Sequence, residues 1–287
     1  MSGAGWKQTL SLPPTVRLVW HVAEPYPRDV PLDDLYASVE VPRSRDGLPA
    51  VFANMVMTQN GEATIEGKAA PIGTPVDRFV LMRLRRSADV LLSGTGTMLA
   101  EDVHAAMPEE ETARRIAAGR PARLLVALMA TDVAWGDDVL ERRFFTDARF
   151  DRLIITGARP SAAAVRRIEA LGVEVVRVEE GPDGRPAVRG ALGLLGARGA
   201  RLVLTEGGPW ILASLLRERL VGDYFLTTSP LATGDPRAPS PIGTDVSVGG
   251  RPLLLSRLSR YEFAFRDPAT GAALIEAYDR FRVVYPV

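Results

Sequence analysis

The sequence predicts an α/β fold: a mostly parallel central sheet flanked by helices and closed by an antiparallel C-terminal hairpin. Three observations carry this. From Leu48 onward, short apolar runs alternate with stretches whose apolar residues recur at helical spacing. Several junctions carry helix-start or helix-stop punctuation. Beyond residue 252 two strand-like stretches, 252–266 and 273–285, flank the turn sequence DPATG.

Residues 1–47 differ from the rest. They are rich in proline and charge with little periodicity, and read as an extended arm packing on the body, with PLDDLYASV as one short helix. Residues 48–287 form the body. AVFANMVMT (50–58) is a buried strand ending at the turn QNG. TPVDRFVLMRLRRSAD (74–89) is a helix with Thr74 as N-cap, Pro75 at the first helical position and Asp77 completing a Thr-x-x-Asp capping pattern. VLLSGTGTMLAED (90–102) is strand, glycine turn and helix start. Strands follow at 122–130 and 150–160, then a helix at 161–172 ending on Gly172. VEVVRVEE (173–180) is a strand, 187–199 a glycine-loosened helix, 200–206 a strand and 209–220 a helix burying Ile211, Leu212, Leu215 and Leu216.

Composition narrows the function. The chain has 287 residues, enough for one large domain or two small ones, and 46% are apolar, so a sizeable core is easily built. Thirty-five basic residues balance thirty-five acidic ones, which argues against broad nucleic-acid binding. With no cysteine, disulfides, thiolate metal sites and a cysteine nucleophile are excluded. Two histidines, His21 and His104, are too few and too scattered for a histidine metal cluster. No apolar run reaches membrane-spanning length and the start has no secretory h-region, so a cytoplasmic protein without membrane contact is expected.

In parallel sheets ligands bind beyond the carboxyl ends of the strands. Two such ends stand out. At SGTGT, Gly94 and Gly96 let the backbone approach a ligand, and a helix starting near Thr97 aims unpaired N–H groups at an anion. The same residues also suit a tight turn with Thr97 as N-cap. At TEGGPWI, Gly207 and Gly208 bare the backbone before Pro209, forming an anion nest beside Glu206. A carboxylate there accepts a ligand's N–H or O–H groups, or caps its neighbours' amides; both readings stand. Arg83, Arg85 and Arg86 share one helix, where at least one should face solvent and another can clamp a phosphate. Trp210 reads as a packing residue. A full dinucleotide fingerprint, a P-loop and a nucleophile elbow are all missing, which leaves chemistry carried by a cofactor.

Taken in order, these segments resemble the RibD C-terminal family, the pyrimidine reductases of riboflavin biosynthesis with a dihydrofolate-reductase-like, three-layer αβα fold. The family's S-x-D-G is Thr58-Gln59-Asn60-Gly61 here, and its L-R-x-x-A-D is Leu84 to Asp89. Its G-x-G-T-x-x-x-D-D is Gly94 to Asp102, its E-G-G-P-T-L starts at Glu206, and its L-V-D-E falls at Leu220 to Asp223. The resemblance implies a homodimeric, NADPH-dependent reductase moving hydride to C1′ of the ribosylamino group of a phosphorylated pyrimidine. It implies cofactor contacts at Thr58, Gly94, Gly96, Thr97, Glu101, Gly207, Gly208, Pro209, Trp210 and Ile211. Substrate contacts fall to Asn60, Glu206 and Arg85, the last on the phosphate; it assigns no catalytic acid. Four departures stand out: Asn60 for aspartate, Glu101 for aspartate, Trp210 for threonine, and Gly222 inserted before Asp223. The zinc deaminase domain that many family members carry is absent from this sequence. They keep two alternatives open, a paralogue reducing another heterocycle such as dihydrofolate, and a nucleotide-binding homologue without catalysis.

Overall fold

The computed structural model describes residues 10–42, 46–102, 105–243 and 246–286; the first nine residues and His104 lie outside them. Eleven strands form one sheet. In chain order the elements are β1 (Thr15–His21), β2 (Arg28–Pro31), β3 (Ala50–Met57), α1 (Pro75–Ser87), β4 (Val90–Gly94), α2 (Thr95–Glu101), α3 (Glu109–Ala117) and β5 (Leu125–Ala130). Then come α4 (Asp137–Leu140), α5 (Arg143–Thr146), β6 (Asp151–Thr156), α6 (Ala162–Glu169), β7 (Glu174–Arg177), α7 (Val188–Ala197) and β8 (Leu202–Thr205). The chain closes with α8 (Pro209–Arg217), β9 (Val221–Thr228), β10 (Leu254–Arg266) and β11 (Ala273–Val284).

The spatial order is β2-β1-β10-β11-β9-β3-β8-β4-β5-β6-β7. From β9 to β7 all neighbours are parallel, whereas β11, β10, β1 and β2 add on antiparallel. The parallel strands are apolar on both faces because helices cover both. Phe52, Leu91, Val126, Ile154 and Leu204 face one core layer with Val80 and Leu84 of α1. Their neighbours Val51, Leu92, Ala127, Ile155 and Val203 face the other with Leu192 of α7 and Leu215 of α8. This is the three-layer αβα sandwich expected, with a dihydrofolate-reductase-like plan.

Several local expectations need correction. The N-terminal arm contributes β1 and β2 to the sheet, and only Leu32–Asp34 of PLDDLYASV is helical, as one 3₁₀ turn. Its short strands lacked a legible alternation because they sit at a sheet edge and borrow their pairing from β10. The segments that form β9 and α3 carried no assignment. All three arginines of RLRR are buried, against the expected solvent-facing one. The arm and α3 supply their partners: Arg83 pairs with Asp33 and Glu111, and Arg86 with Glu111 and the Ala37 carbonyl. Gly222 is a bulge. Val51 and Phe52 of β3 oppose Val221 and Asp223 of β9, so the inserted glycine is skipped in the ladder. A Cβ there would stand 2.9 Å from Val41 of the arm.

Candidate active site

One cavity of about 1080 Å³ opens at the carboxyl ends of β3, β8, β4 and β5. The return of β8 between β3 and β4 places Glu206 between Asn54 on one side and Gly94 on the other. The wall is completed by the loop before α1, the N-termini of α2 and α8, Arg185 and the segment carrying Asp235, Arg237 and Pro239.

The glycine side comes first. Gly94 is the N-cap of α2, which starts at Thr95, so Thr97 lies inside the first turn and is not the cap expected of it. A Cβ at Gly94 would come within 3.2 Å of Ile211, and one at Gly208 within 3.0 Å of the Thr97 hydroxyl. A Cβ at Gly96 would meet nothing within 4 Å, so its backbone borders open cavity. Gly207 has φ +95°, a left-handed conformation that favours glycine, and its peptide to Gly208 is cis. The two helix N-termini thus converge on backbone free of side chains. Pro209, Trp210 and Ile211 follow on the same wall. Trp210 donates from its indole N–H to Asp183 at 2.9 Å while the Arg185 guanidinium lies 4.9 Å over its ring. Glu101 also borders the cavity, accepting the Ala69 amide and tying α2 to the loop before α1.

The opposite side is polar. Arg85, expected on a substrate phosphate, turns its Nε and Nη2 to the two oxygens of Glu206 at 2.6 and 2.7 Å. Both side chains are largely buried. Beside them, Asn54 is 8% exposed and its Oδ1 has no hydrogen-bond partner. Asn54 and Glu206 follow Phe52 and Leu204 by two residues, so both face the α1 side of the sheet. Met55, one residue on, faces the other side and touches the space over Gly207.

Thr58 and Asn60 do not line this cavity. Thr58 is fully buried, donating to Asn60 at 2.8 Å and accepting the Glu62 amide at 3.0 Å. Asn60 donates to the Thr233 carbonyl at 2.8 Å and accepts the Thr233 amide at 3.2 Å. Asp89 of the Leu-Arg-x-x-Ala-Asp motif is likewise structural, accepting the amides of Arg201 and Leu202 at the start of β8. The sequence reading missed Asn54, yet an amide isolated within an apolar strand was the available signal. Asp77 and Arg78 of the first turn of α1 were missed as well, and so were Arg185, Asp235 and Arg237, which loops bring in.

Behind the cavity, Glu276 of β11 is fully buried at the N-terminus of α1. It accepts the Thr74 amide at 3.0 Å and is bonded by the hydroxyls of Thr74 and Tyr278. Burial, reinforced by the charge of cavity-lining Asp77, pushes its carboxyl up to about 8.

The RibD C-terminal domain pattern matches residues 49–258. The chain belongs to the RibD C-terminal domain family. It is 25% identical over 197 residues to the 2,5-diamino-6-ribosylamino-4(3H)-pyrimidinone 5′-phosphate reductase of Archaeoglobus fulgidus, covering 67% of this chain and 85% of that protein. Its fold is similar to that of a pyrimidine reductase-like protein from Corynebacterium diphtheriae, with TM-score 0.69, 21% identity, and 89% of this chain and 99% of that one covered. The bifunctional deaminase and 5-amino-6-(5-phosphoribosylamino)uracil reductase of Thermotoga maritima matches with TM-score 0.59 at 16% identity, over 83% of this chain and 58% of that one. The relatives named here are reductases or reductase-like proteins, and in this chain the cavity lies where the parallel strands end. Among the described residues, no helix is long and apolar enough to cross a membrane.

Proposed function

We propose that this protein is an NADPH-dependent reductase of a ribosylaminopyrimidine phosphate, acting in riboflavin-type biosynthesis. One observation carries the reading: the Arg85–Glu206 pair and Asn54 line the same cavity as a bare glycine nest. The nest suits a dinucleotide. Two helix N-termini, with the amides of Gly208, Trp210 and Ile211, offer donors to its pyrophosphate, and the Thr97 hydroxyl lies beside them. Gly94, Gly96 and Glu101 complete that wall. When bound, the cofactor supplies hydride.

The chain's own residues bind and orient the substrate. Arg85 fixes the Glu206 carboxylate in one plane, leaving its outer lone pairs to accept a heterocycle's N–H or O–H. Asn54 lines the same wall with its Oδ1 buried and unpartnered, so a substrate N–H that reaches it would satisfy an acceptor the fold leaves open. Together they would hold the pyrimidine facing the nest, where the bound cofactor would supply hydride. Alignment of donor and acceptor carbons is what this chemistry chiefly demands. We read the protein as a cytoplasmic homodimer; the exposed Leu254, Ile275 and Val284 on the β10–β11 hairpin suit burial against a second copy, and light scattering measures it.

The test is NADPH oxidation by the purified protein with the diaminopyrimidinone phosphate, with the aminouracil phosphate, and with dihydrofolate. Turnover of either pyrimidine well above dihydrofolate supports the reading. Turnover of dihydrofolate alone supports the paralogue, and NADPH binding without any turnover supports a catalytically silent homologue.

A further inference from the structure

A phosphorylated substrate needs a cation, and Arg85 has its Nε and Nη2 on Glu206. Three other arginines line the cavity: Arg78, Arg185 and Arg237. Arg185 lies over Trp210 on the glycine side. Arg78 shares the first turn of α1 with Asp77, whose carboxylate folds back over Gly73 close to buried Glu276. Arg237 is set apart by its place, on the segment that Asn60 holds. Its side chain is 89% exposed, and among the described residues it pairs with Asp235, two residues away, with Nε 3.3 Å from Oδ1. Such an exposed pair is worth little and exchanges readily for a phosphate.

Arg237 sits on a segment that is fastened, not loose. The Leu231 carbonyl accepts the Gln59 amide at 2.6 Å, and the Pro239 carbonyl accepts the Ala63 amide at 2.9 Å. Between them Asn60 both donates to and accepts from the backbone of Thr233, while Thr233 donates its hydroxyl to Glu62. The amide does both jobs through separate atoms, Nδ2 and Oδ1. An aspartate at this position keeps the acceptor, loses the donors to Thr233 and Glu62, and sets a charge against Glu62.

We propose that Arg237 takes the substrate's phosphomonoester, and that Asn60 is a positioning residue acting through it by pinning the 231–239 segment. This rests on the reductase reading for its substrate, and it explains why asparagine stands at 60. The cation for the phosphate is thereby delivered by a loop, and Arg85 serves Glu206 instead.

The experiment uses the full chain and the variants Arg237→Ala, Asn60→Asp and Arg78→Ala. With ribose 5-phosphate and inorganic phosphate as calorimetric probes, Arg237→Ala weakens binding by about tenfold or more, the usual effect of losing a charge-assisted bond. In turnover it raises the KM for the phosphorylated pyrimidine by a similar factor, leaving kcat and the KM for NADPH within about twofold. Asn60→Asp moves the same KM in the same direction, and trypsin cleaves after Arg237 faster than in the wild type. Loss of phosphate binding in Arg78→Ala with none in Arg237→Ala overturns the assignment. Unchanged trypsin cleavage in Asn60→Asp overturns the pinning role. The probes and the protease need no NADPH, so failure of the reductase reading, seen as absent turnover, is told apart from failure of this one.

Discussion

Arg85 and Glu206, 121 residues apart in sequence, meet in a two-pronged ion pair at the carboxyl end of β8. Neither is exposed enough for water to replace its partner. Glu206→Gln keeps the shape and removes the charge, leaving a buried guanidinium unpaired. We expect a stability loss of about 3–5 kcal/mol in denaturant titrations, the usual cost of breaking a buried pair from one side. Substrate kcat/KM falls roughly 10- to 100-fold, from weakened charge-assisted bonds. NADPH affinity stays near that of the wild type. A variant as stable as wild type, or one that loses NADPH and substrate equally, contradicts this division of labour.

Glu276 makes a pH prediction. Its carboxyl, held up to about 8 mainly by burial, is neutral in the folded protein well above the pH where it ionises in the unfolded chain. The native state therefore binds more protons between those two values, and stability declines as pH rises through that window. The stabilisation is complete below about 4.5, the unfolded value, and is lost as pH passes about 8. The slope for one proton is at most about 1.4 kcal/mol per pH unit. Glu276→Gln, which keeps acceptor and donor toward Thr74 and Tyr278, should flatten the melting temperature between pH 5 and 8 on the order of one proton's worth. An unchanged slope in that variant assigns the pH dependence elsewhere.

The contact between Gly208 and Thr97 is equally testable. A methyl at 208 would stand 3.0 Å from the Thr97 hydroxyl, which must then shift by a few tenths of an ångström. Gly208→Ala should weaken NADPH binding about tenfold by displacing that hydroxyl and filling the nest, a loss of about 1.4 kcal/mol. Gly208→Ala with Thr97→Ala should recover part of it, giving a non-zero coupling in the double-mutant cycle. Strict additivity, measured by fluorescence titration of NADPH, would place the two residues in separate sites.

Much of this was legible because local chemistry and the global fold agree. Pro75 after Thr74, and Gly207-Gly208-Pro209 after an apolar strand, specify where α1 and α8 begin. The strands β3, β4, β5, β6 and β8 announce themselves as apolar runs because both faces are buried. What stayed hidden depends on partners distant in sequence. β1 exists through its pairing with β10, and the buried state of Arg83 and Arg86 depends on Asp33, Ala37 and Glu111. Residues of one motif also divide between tasks: Arg85 enters the cavity while Asp89 anchors β8. Sequence spacing cannot separate them, because four residues on, beyond the helix end, the chain has already turned toward the next strand.

The insertion at Gly222 can be read as a fitted bulge. A Cβ would approach Val41 to 2.9 Å, so Gly222→Ala presses the arm away from β9. Overpacking of this kind costs about 1–3 kcal/mol. The site lies at the amino end of β9, three residues before Phe225, the partner of Asn54, and faces the arm, so kcat and both KM values should hold while the unfolding midpoint falls. A midpoint equal to wild type indicates that the arm yields without cost.

Asn54 is the residue whose removal separates stability from function. Its Oδ1 is buried without a partner, a state that weakens the fold by about 1–3 kcal/mol relative to a satisfied group. Leucine has nearly the same length and no polar atom, and the neighbours Phe52 and Phe225 are apolar. Asn54→Leu should therefore melt at or above the wild-type temperature, because it removes an uncompensated desolvation. On the proposed reading the same change deletes an acceptor for the heterocycle, so substrate KM should rise about tenfold or more while NADPH binding persists. A lower melting temperature with unaltered substrate KM would assign Asn54 to the core and remove it from the site. A stable protein that binds NADPH and no longer selects its pyrimidine places the orphan amide in recognition, where its stability cost has a reason.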